Sequence, residues 1–328
     1  MNLLDAMRYL AALAQHRHFG RAAEACHITQ PALSNAIRAL EQEFGVTVVR
    51  RGRQYEGLTP EGERVLASAH RMLHEREVLR QELGATRQAP VGPLTLACVP
   101  TAVPVAARLA ARLRERHPAL RPVVRSLSSP EIETGLEQLA FDLALGYADR
   151  VRERGVRAEV VGEYHEGYVL LRRRAGSVPT AAPPAPLRWA EAARLDLCML
   201  TREMHNRHIV DAAFARAGAQ VQPVIETNSV LTLLLAVLDG GGLCSVLPGA
   251  LAALAALARQ YPALETVPLV EPDLVVAMGL LVPPGGRLSL AQQAAVALVQ
   301  DAAWWRGVVD GTDAAARHSP AVSIRSPS

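Results

Sequence analysis

Gly20-Arg21-Ala22-Ala23-Glu24-Ala25-Cys26-His27-Ile28-Thr29-Gln30-Pro31-Ala32-Leu33-Ser34-Asn35-Ala36-Ile37-Arg38-Ala39-Leu40-Glu41-Gln42-Glu43-Phe44-Gly45 is the stretch on which the reading of this chain turns. It reads as two short helices joined at an angle. Thr29 is suited to cap the second helix, and Pro31 fits its first turn, where the missing N–H is no loss. Leu33, Ile37, Leu40 and Phe44 recur at i, i+4, i+7 and i+11, one apolar stripe, and Gly45 stops the helix. Burial of that stripe leaves Gln30, Pro31, Ser34, Asn35 and Arg38 facing out. Amide and hydroxyl side chains near a helix N-terminus, with an arginine further along, are suited to base edges and phosphates in a DNA major groove. An ordinary surface helix satisfies the same pattern, so from the helix pair alone both readings stay open.

The next segment decides between them. Val48-Val49-Arg50-Arg51-Gly52-Arg53-Gln54-Tyr55-Glu56-Gly57-Leu58 reads as strand, basic turn, strand, and Thr59-Pro60-Glu61-Gly62 opens another helix. An arginine-rich hairpin directly after a recognition helix is a wing, able to place Arg50, Arg51 or Arg53 on phosphate or in the minor groove. The order and spacing of Phe19-Gly20-Arg21-Ala22-Ala23-Glu24, Thr29-Gln30-Pro31-Ala32-Leu33-Ser34, Ile37-Arg38-Ala39-Leu40-Glu41 and Leu58-Thr59-Pro60-Glu61-Gly62 resemble the N-terminal signature of LysR-type transcriptional regulators over about sixty residues. Many members carry Arg directly after the serine of the recognition helix, where this chain has Asn35. The resemblance implies double-stranded DNA as a partner, read through Arg21, Thr29, Gln30, Pro31, Ser34, Asn35, Arg38, Arg50, Arg51 and Arg53.

The chain has 328 residues, enough for two or three domains, with half of them hydrophobic and a fifth charged. All 35 basic residues are arginine, and the net charge is only +3, so local placement carries the DNA argument. Cys26, Cys98, Cys198 and Cys244 are scattered among apolar neighbours with no CxxC pair, which reads as buried free thiols in a reducing compartment. Redox sensing by Cys98 or Cys198 is the weaker reading, because no activating partner stands beside either. Asp5 and Arg8 interrupt any signal peptide. The apolar run at 230–238 ends at Asp239 and Gly240-Gly241-Gly242, too short for a bilayer, so the expectation is a cytoplasmic protein without a membrane partner.

Leu3, Met7, Leu10 and Ala14 mark a first helix packed behind the pair, giving a winged helix-turn-helix domain over residues 1–59. From Pro60 to about Thr86, Val65, Leu66, Ala69, Met72, Leu73, Leu79 and Leu83 mark a long amphipathic helix, and 60–89 is read as a linker that dimerises with a second copy. Residues 84–93 form a hinge by composition. Strands are expected at 94–99, 122–127 and 142–146, with helices at 103–117 and from Ser128 to Leu139, a mainly parallel α/β layer. A second unit follows, with strands near 168–171, 197–200, 223–226 and 243–247 and helices near 205–217, 229–238 and 249–259. A strand at 274–281 and a helix at 290–305 return to the first lobe. The fold class is therefore α/β. The resemblance further implies a two-lobed effector domain like a type 2 periplasmic binding protein over 90–306, with lobe I at about 90–161 and 269–306 and lobe II at about 162–268. Residues 181–186 read as a surface loop, and 307–328 as a disordered tail.

Ligands of open α/β sheets sit beyond the carboxyl ends of strands, where helix N-termini converge. That rule selects Thr101, Ser128, Ser129, Thr201, Asn206 and Asn228, hydroxyl and amide groups suited to a carboxylate or another small anion. Thr101, Ser128 and Thr201 resemble the effector positions of the family; plain helix capping is the competing reading at each. Arg202 and Arg207 are candidates for a charged contact. His205 and His208 lie three apart on one helical face without a third ligand at matching spacing, so no metal is expected, and no cofactor motif or nucleophile elbow occurs. The expectation is a DNA-binding regulator, not an enzyme, controlled by a small and anionic effector. The family implies a dimer on an interrupted inverted repeat, a homotetramer built through the effector lobes, and RNA polymerase as a further partner. The rival is a small-molecule receptor or enzyme whose N-terminal helices serve only assembly.

Overall fold

The computed structural model describes residues 2–51, 55–83, 89–174, 184–252, 264–285, 287–301 and 304. It divides into two compact units, the first built mainly from residues 1–89 and the second mainly from the remainder.

In the first unit, α1 (Leu3–His16), α2 (Phe19–Ala25) and α3 (Gln30–Phe44) are followed by a two-stranded antiparallel hairpin, β1 (Val49–Arg51) and β2 (Tyr55–Leu58). The long helix α4 (Pro60–Leu83) comes next. Each helix starts where a side chain takes up an orphan amide. Asn2 caps α1 at Leu4 N, Thr29 caps α3 at Ala32 N, and the His18 Nδ1 accepts from Gly20 N and Arg21 N. His18, exposed between α1 and α2, is the cap that starts α2. Met7, Leu10, Leu33, Ile37, Leu40, Val48, Val49, Leu58, Leu66 and Ala69 form one core. Two expectations change. Leu13 rather than Ala14 completes the buried face of α1, and Phe44 is 43% exposed while Ala36 lies inside. The buried stripe of α3 therefore ends at Leu40.

The Leu58-Thr59-Pro60-Glu61-Gly62 run has a packing cause. Thr59 Oγ1 donates to Thr47 O at 2.6 Å and accepts from Gly62 N at 2.9 Å, so one hydroxyl caps α4 and ties it to the hairpin. A Cβ on Gly62 would lie 2.0 Å from the Val48 carbonyl oxygen, so only glycine permits that approach. Beyond Ala69 the helix keeps Val78 buried but exposes Met72, Leu79 and Leu83.

The second unit begins with β3 (Gly92–Cys98), a 3-10 turn at Pro100–Ala102, α5 (Val103–Arg116), β4 (Leu120–Ser126), α6 (Ser129–Glu137), β5 (Leu143–Tyr147) and α7 (Ala148–Arg154). Strands β4, β3 and β5 are parallel, as strand–helix–strand crossovers require. The chain then runs through β6 (Glu159–Arg173), β7 (Leu187–Arg188), α8 (Trp189–Ala192), β8 (Cys198–Leu200), α9 (His205–Arg216), β9 (Ile225–Thr227), α10 (Val230–Asp239), β10 (Cys244–Pro248) and α11 (Gly249–Ala252). It closes with β11 (Leu264–Val270), β12 (Val275–Val282) and α12 (Leu290–Gln300).

Strand β6 joins two lobes. Its first part pairs antiparallel with β12, and its last part, from Tyr168, with β10 and β11. The sequence pattern suggested only a four-residue strand at 168–171, because along the amino-terminal half Glu163, His165 and Glu166 interrupt the apolar run. β12 pairs with both β5 and β6, so the late strand returns to the first sheet as the pattern suggested. The short elements α7, β7 and α8 and the strand β11 carry no strong periodicity and were not foreseen. The expected helix at 249–259 is described over Gly249–Ala252; the first half of the loop at 181–186 and the whole tail at 307–328 lie outside the described residues. No helix among the described residues is long and apolar enough to cross a membrane.

Candidate functional site

Two surfaces carry the residues singled out from sequence, one in each unit. On α3 the apolar side is core, so the opposite side is free for contact. Gln30, Pro31, Asn35 and Arg38 are exposed and Ser34 is half-buried. Asn35 Oδ1 accepts from Arg38 Nη1 at 3.1 Å, so the amide and the guanidinium form one preset pair, with Asn35 Nδ2 left as a donor. Thr29 is exposed, but its hydroxyl oxygen is committed to the helix cap, leaving only the O–H for a ligand. Arg21 and Arg50 are exposed. The side chain of Arg51 and the whole of Arg53 lie outside the described residues.

Glu41 was not singled out from sequence. Its Oε1 accepts from Val48 N at 3.0 Å and Val49 N at 3.2 Å, so a carboxylate on the recognition helix holds the first strand of the hairpin. Its position one residue past the buried Leu40 gave no hint of a partner seven residues on.

In the second unit, a cleft forms where the carboxyl ends of β3, β4 and β5 meet the start of α9. It is lined by Thr101, Ser128, Ser129, Tyr147, His205 and Asn206, with Val99, Pro100, Leu200 and Met204 supplying apolar wall. The cavity volume is about 10 Å³, room for about one water molecule.

Its floor is a chain of neutral hydrogen bonds. Thr101, 1% exposed, lies 3.2 Å from the Tyr147 hydroxyl, and Asn206 Nδ2 donates to Tyr168 Oη at 2.7 Å. Burial pushes the Tyr147 phenol up to about 12, partly offset by its bonds to Thr101 and Asn206, so it is protonated at neutral pH. Ser129 is 7% exposed and its Oγ makes no hydrogen bond to the protein.

Beside His205 lies an ion pair that is not itself part of the lining. Arg150 donates to both oxygens of Glu133, and its Nη1 lies 3.3 Å from His205 Nδ1. A guanidinium only donates, so Nδ1 is the acceptor and the ring proton sits on Nε2. Burial, then the charge of Arg150, push the His205 imidazole down to about 4. The ring packs edge-on against Tyr147 at 4.7 Å between centroids.

The remaining candidates do not join this cleft. Thr201 is half-buried and donates to Glu203 Oε1 at 2.7 Å, outside the lining. Asn228 is exposed and also outside it. Arg202 is exposed. Arg207 is 2% exposed and spent on Asp211, Glu226 and the Leu200 carbonyl, where it ties β8 to β9 instead of facing a ligand. Tyr147 was missed, although the carboxyl-end rule that selected Thr101 applies equally to the last residue of β5. His205 was considered only as a metal ligand.

The four cysteines are free. Cys98, Cys198 and Cys244 are buried, and desolvation raises each thiol, Cys98 to about 12. Cys26 is half-buried and raised by the same cause.

Residues 4–63 match the family model described as a bacterial regulatory helix-turn-helix protein of the lysR family, and residues 87–304 match the LysR substrate binding domain. A hydrogen peroxide-inducible genes activator of Dickeya chrysanthemi is 42% identical over 101 residues, 31% of this chain and 33% of the relative. An SDS degradation transcriptional activation protein of a Pseudomonas strain is 41% identical over 100 residues, 30% of this chain and 33% of the relative. The match thus spans about a third of the length of these curated relatives. Among solved structures, a full-length OxyR from Pseudomonas aeruginosa superposes with a TM-score of 0.66 at 23% identity, covering 92% of this chain and 95% of that one. CbnR, a LysR family transcriptional regulator, gives 0.60 at 18% identity over 90% and 98%. At these identities the structures speak for the fold, while the substrate-binding family model alone covers more than half of the sequence: the chain belongs to the LysR family.

Proposed function

We propose that the protein is a sequence-specific, DNA-binding transcriptional regulator whose activity is set by a small molecule held in the cleft at Thr101, Ser129 and Asn206. The observation that carries this reading is the exposed ridge of Gln30, Asn35 and Arg38 on a helix whose other face is fully built into a core. In this reading residues 1–59 read the duplex, 60–89 pair with a second copy, and 90–306 receive the effector. The exposed Met72, Leu79 and Leu83 on α4, spaced at i, i+7 and i+11, support the pairing: they form an apolar strip that a second helix would cover. Two copies then meet two half-sites of an interrupted inverted repeat. Assembly of dimers into a homotetramer, contact with RNA polymerase and residence in the cytoplasm complete the proposal. The effector acts by favouring one arrangement of the lobes over another, which requires different affinities for the two.

Control by reversible binding, as opposed to thiol oxidation, is supported by the cysteines. Peroxide attacks thiolates, and each thiol here is held protonated by burial.

Fluorescence anisotropy of the full chain at fixed salt tests the reading. A duplex from its own upstream promoter should bind at least tenfold tighter than a scrambled duplex, with no change on adding hydrogen peroxide. Equal binding of both duplexes overturns it.

A further inference from the structure

We propose that His205 is a proton-sensitive latch between the two lobes: neutral, it holds the cleft shut, and protonated, it lets the cleft open. The latch goes beyond the regulator reading and does not depend on which small molecule enters.

One side of the cleft comes from the carboxyl ends of β3, β4 and β5, with Thr101, Ser129 and Tyr147; the other comes from the start of α9, with Met204, His205 and Asn206. Two side chains of α9 reach across. Asn206 bonds to the Tyr147 hydroxyl, a contact between two groups that stay neutral at working pH. His205 touches the far side twice. Its Nδ1 lies 3.3 Å from Arg150 Nη1 on α7, and its ring stands edge-on to Tyr147 with 4.7 Å between centroids. With the sides joined in this way the cavity is only about 10 Å³, so an occupant larger than about one water molecule requires the lobes to part.

The direction of the hydrogen bond makes this latch titratable. A guanidinium only donates, so Nδ1 must keep its lone pair. A proton on Nδ1 removes the acceptor and sets an imidazolium against a guanidinium. The acids on the elements around the ring are committed elsewhere. Glu133, on α6, has both oxygens engaged by Arg150. Glu131 is exposed and accepts from Ser128, and Glu203 is exposed and accepts from Thr201. The other charged groups that His205 feels are His208, on its own helix, and Arg154 at the end of α7, both basic.

Burial first, and then these charges, hold the closed ring down to about 4. In an open cleft the imidazole meets water and titrates near its ordinary 6.5. Proton uptake therefore favours the open arrangement as pH falls from 6.5 towards 4, by about tenfold per pH unit, while above 6.5 the latch is fully made.

Met204, half-buried in the lining, reports on opening. In the full chain with isotope-labelled methionine methyls, a soluble gadolinium chelate enhances the relaxation of each methyl according to its exposure. Met204→Leu assigns the signal, and Met7 and Met278, both fully buried, are the controls. Between about pH 7.5 and pH 5 the Met204 enhancement should rise at least threefold while both controls stay constant. His205→Gln keeps an amide oxygen to accept from Arg150 but takes up no proton, so its Met204 signal should stay low and flat. Arg150→Gln removes the nearest charge and should move the rise to higher pH by about half a unit or more, a shift that a merely structural role does not produce. Circular dichroism reports that each variant is folded. A wild-type Met204 signal that ignores pH, the same rise in His205→Gln, an Arg150→Gln profile identical to wild type, or a rise shared by Met7 and Met278 overturns the latch. Duplex binding is measured separately and decides the regulator reading by itself.

Discussion

Glu41→Ala is the sharpest test of how the recognition helix and the wing are joined. In the wild type one carboxylate oxygen receives Val48 N at 3.0 Å and Val49 N at 3.2 Å, and both valines are fully buried. A hydrogen bond to a charged group contributes about 1.5–3 kcal/mol net, and a deserted buried donor keeps its desolvation cost. Two bonds sharing one oxygen are less than additive, so the loss is placed at about 2–3 kcal/mol for the N-terminal unit. At about 1.4 kcal/mol per factor of ten, the Val48 and Val49 amides should exchange with deuterium about 30- to 150-fold faster. Glu41→Gln keeps an oxygen acceptor without charge and should lose about half as much. Hydrogen exchange read by NMR at those two amides is the assay, with urea unfolding followed by circular dichroism as the global measure. DNA affinity should fall on every sequence alike, because the wing and not a base contact is disturbed. Wild-type protection at Val48 and Val49 in Glu41→Ala would falsify the coupling.

Four further outcomes are expected. Asn35→Ala frees Arg38 from its 3.1 Å tether and removes an amide from the groove face, costing about 1–3 kcal/mol of discrimination between matched and mismatched duplexes; unchanged specificity at constant salt counts against the assigned face. Arg53→Ala should weaken all duplexes evenly and lower the slope of log affinity against log salt by about one, and a sequence-selective loss argues against a phosphate contact. Thr101→Val removes the hydroxyl beside Tyr147 and should blunt the effector response while basal DNA binding stays, with equal ligand affinity by calorimetry as the contrary result. His205 sets a pH dependence. The unfolded chain protonates it near the usual 6.5, whereas the folded site holds it neutral down to about 4. Stability is therefore complete above pH 6.5 and falls as pH drops from there towards 4, by about 1–2 kcal/mol once solvent screening of a partly exposed ring is allowed for. His205→Gln should flatten that part of the urea-midpoint profile, and an unaltered slope refutes the assignment.

The N-terminal unit was legible because its signals are local. Thr29 and Gly45 bracket α3 within the helix itself, and Leu33, Ile37 and Leu40 repeat at the helical period. The bond from Glu41 to the hairpin was not, since it depends on how β1 folds back across α3. In the second unit the parallel strands β3, β4 and β5 stood out as apolar runs. The 15-residue β6 did not, because a strand shared by two lobes changes its burial midway and shows no single period. Of the candidate ligand residues, Thr101, Ser128, Ser129 and Asn206 are brought together, the first three just past the carboxyl ends of β3 and β4 and Asn206 in the first turn of α9. Asn228 stands at such an end too, one residue past β9, but it is exposed and outside the lining.

The helix starts around the cleft show how far a reading of hydroxyls alone carries. Serine and threonine at helix starts were read as anion holders by looking at the hydroxyls alone. Yet Ser128 and Glu131 are spaced as a capping box, in which the acid three residues on returns to the amide that opens the helix. Thr201 has Glu203 two residues on and spends its hydroxyl there. Both acids are visible in the sequence, so the local charge balance was legible before any tertiary structure. What the fold adds is the pairing of Arg150 with Glu133, 17 residues apart, beside His205. Which donors remain for a ligand is thus set by the acids that hold Ser128 and Thr201 as much as by the hydroxyl left over at Ser129.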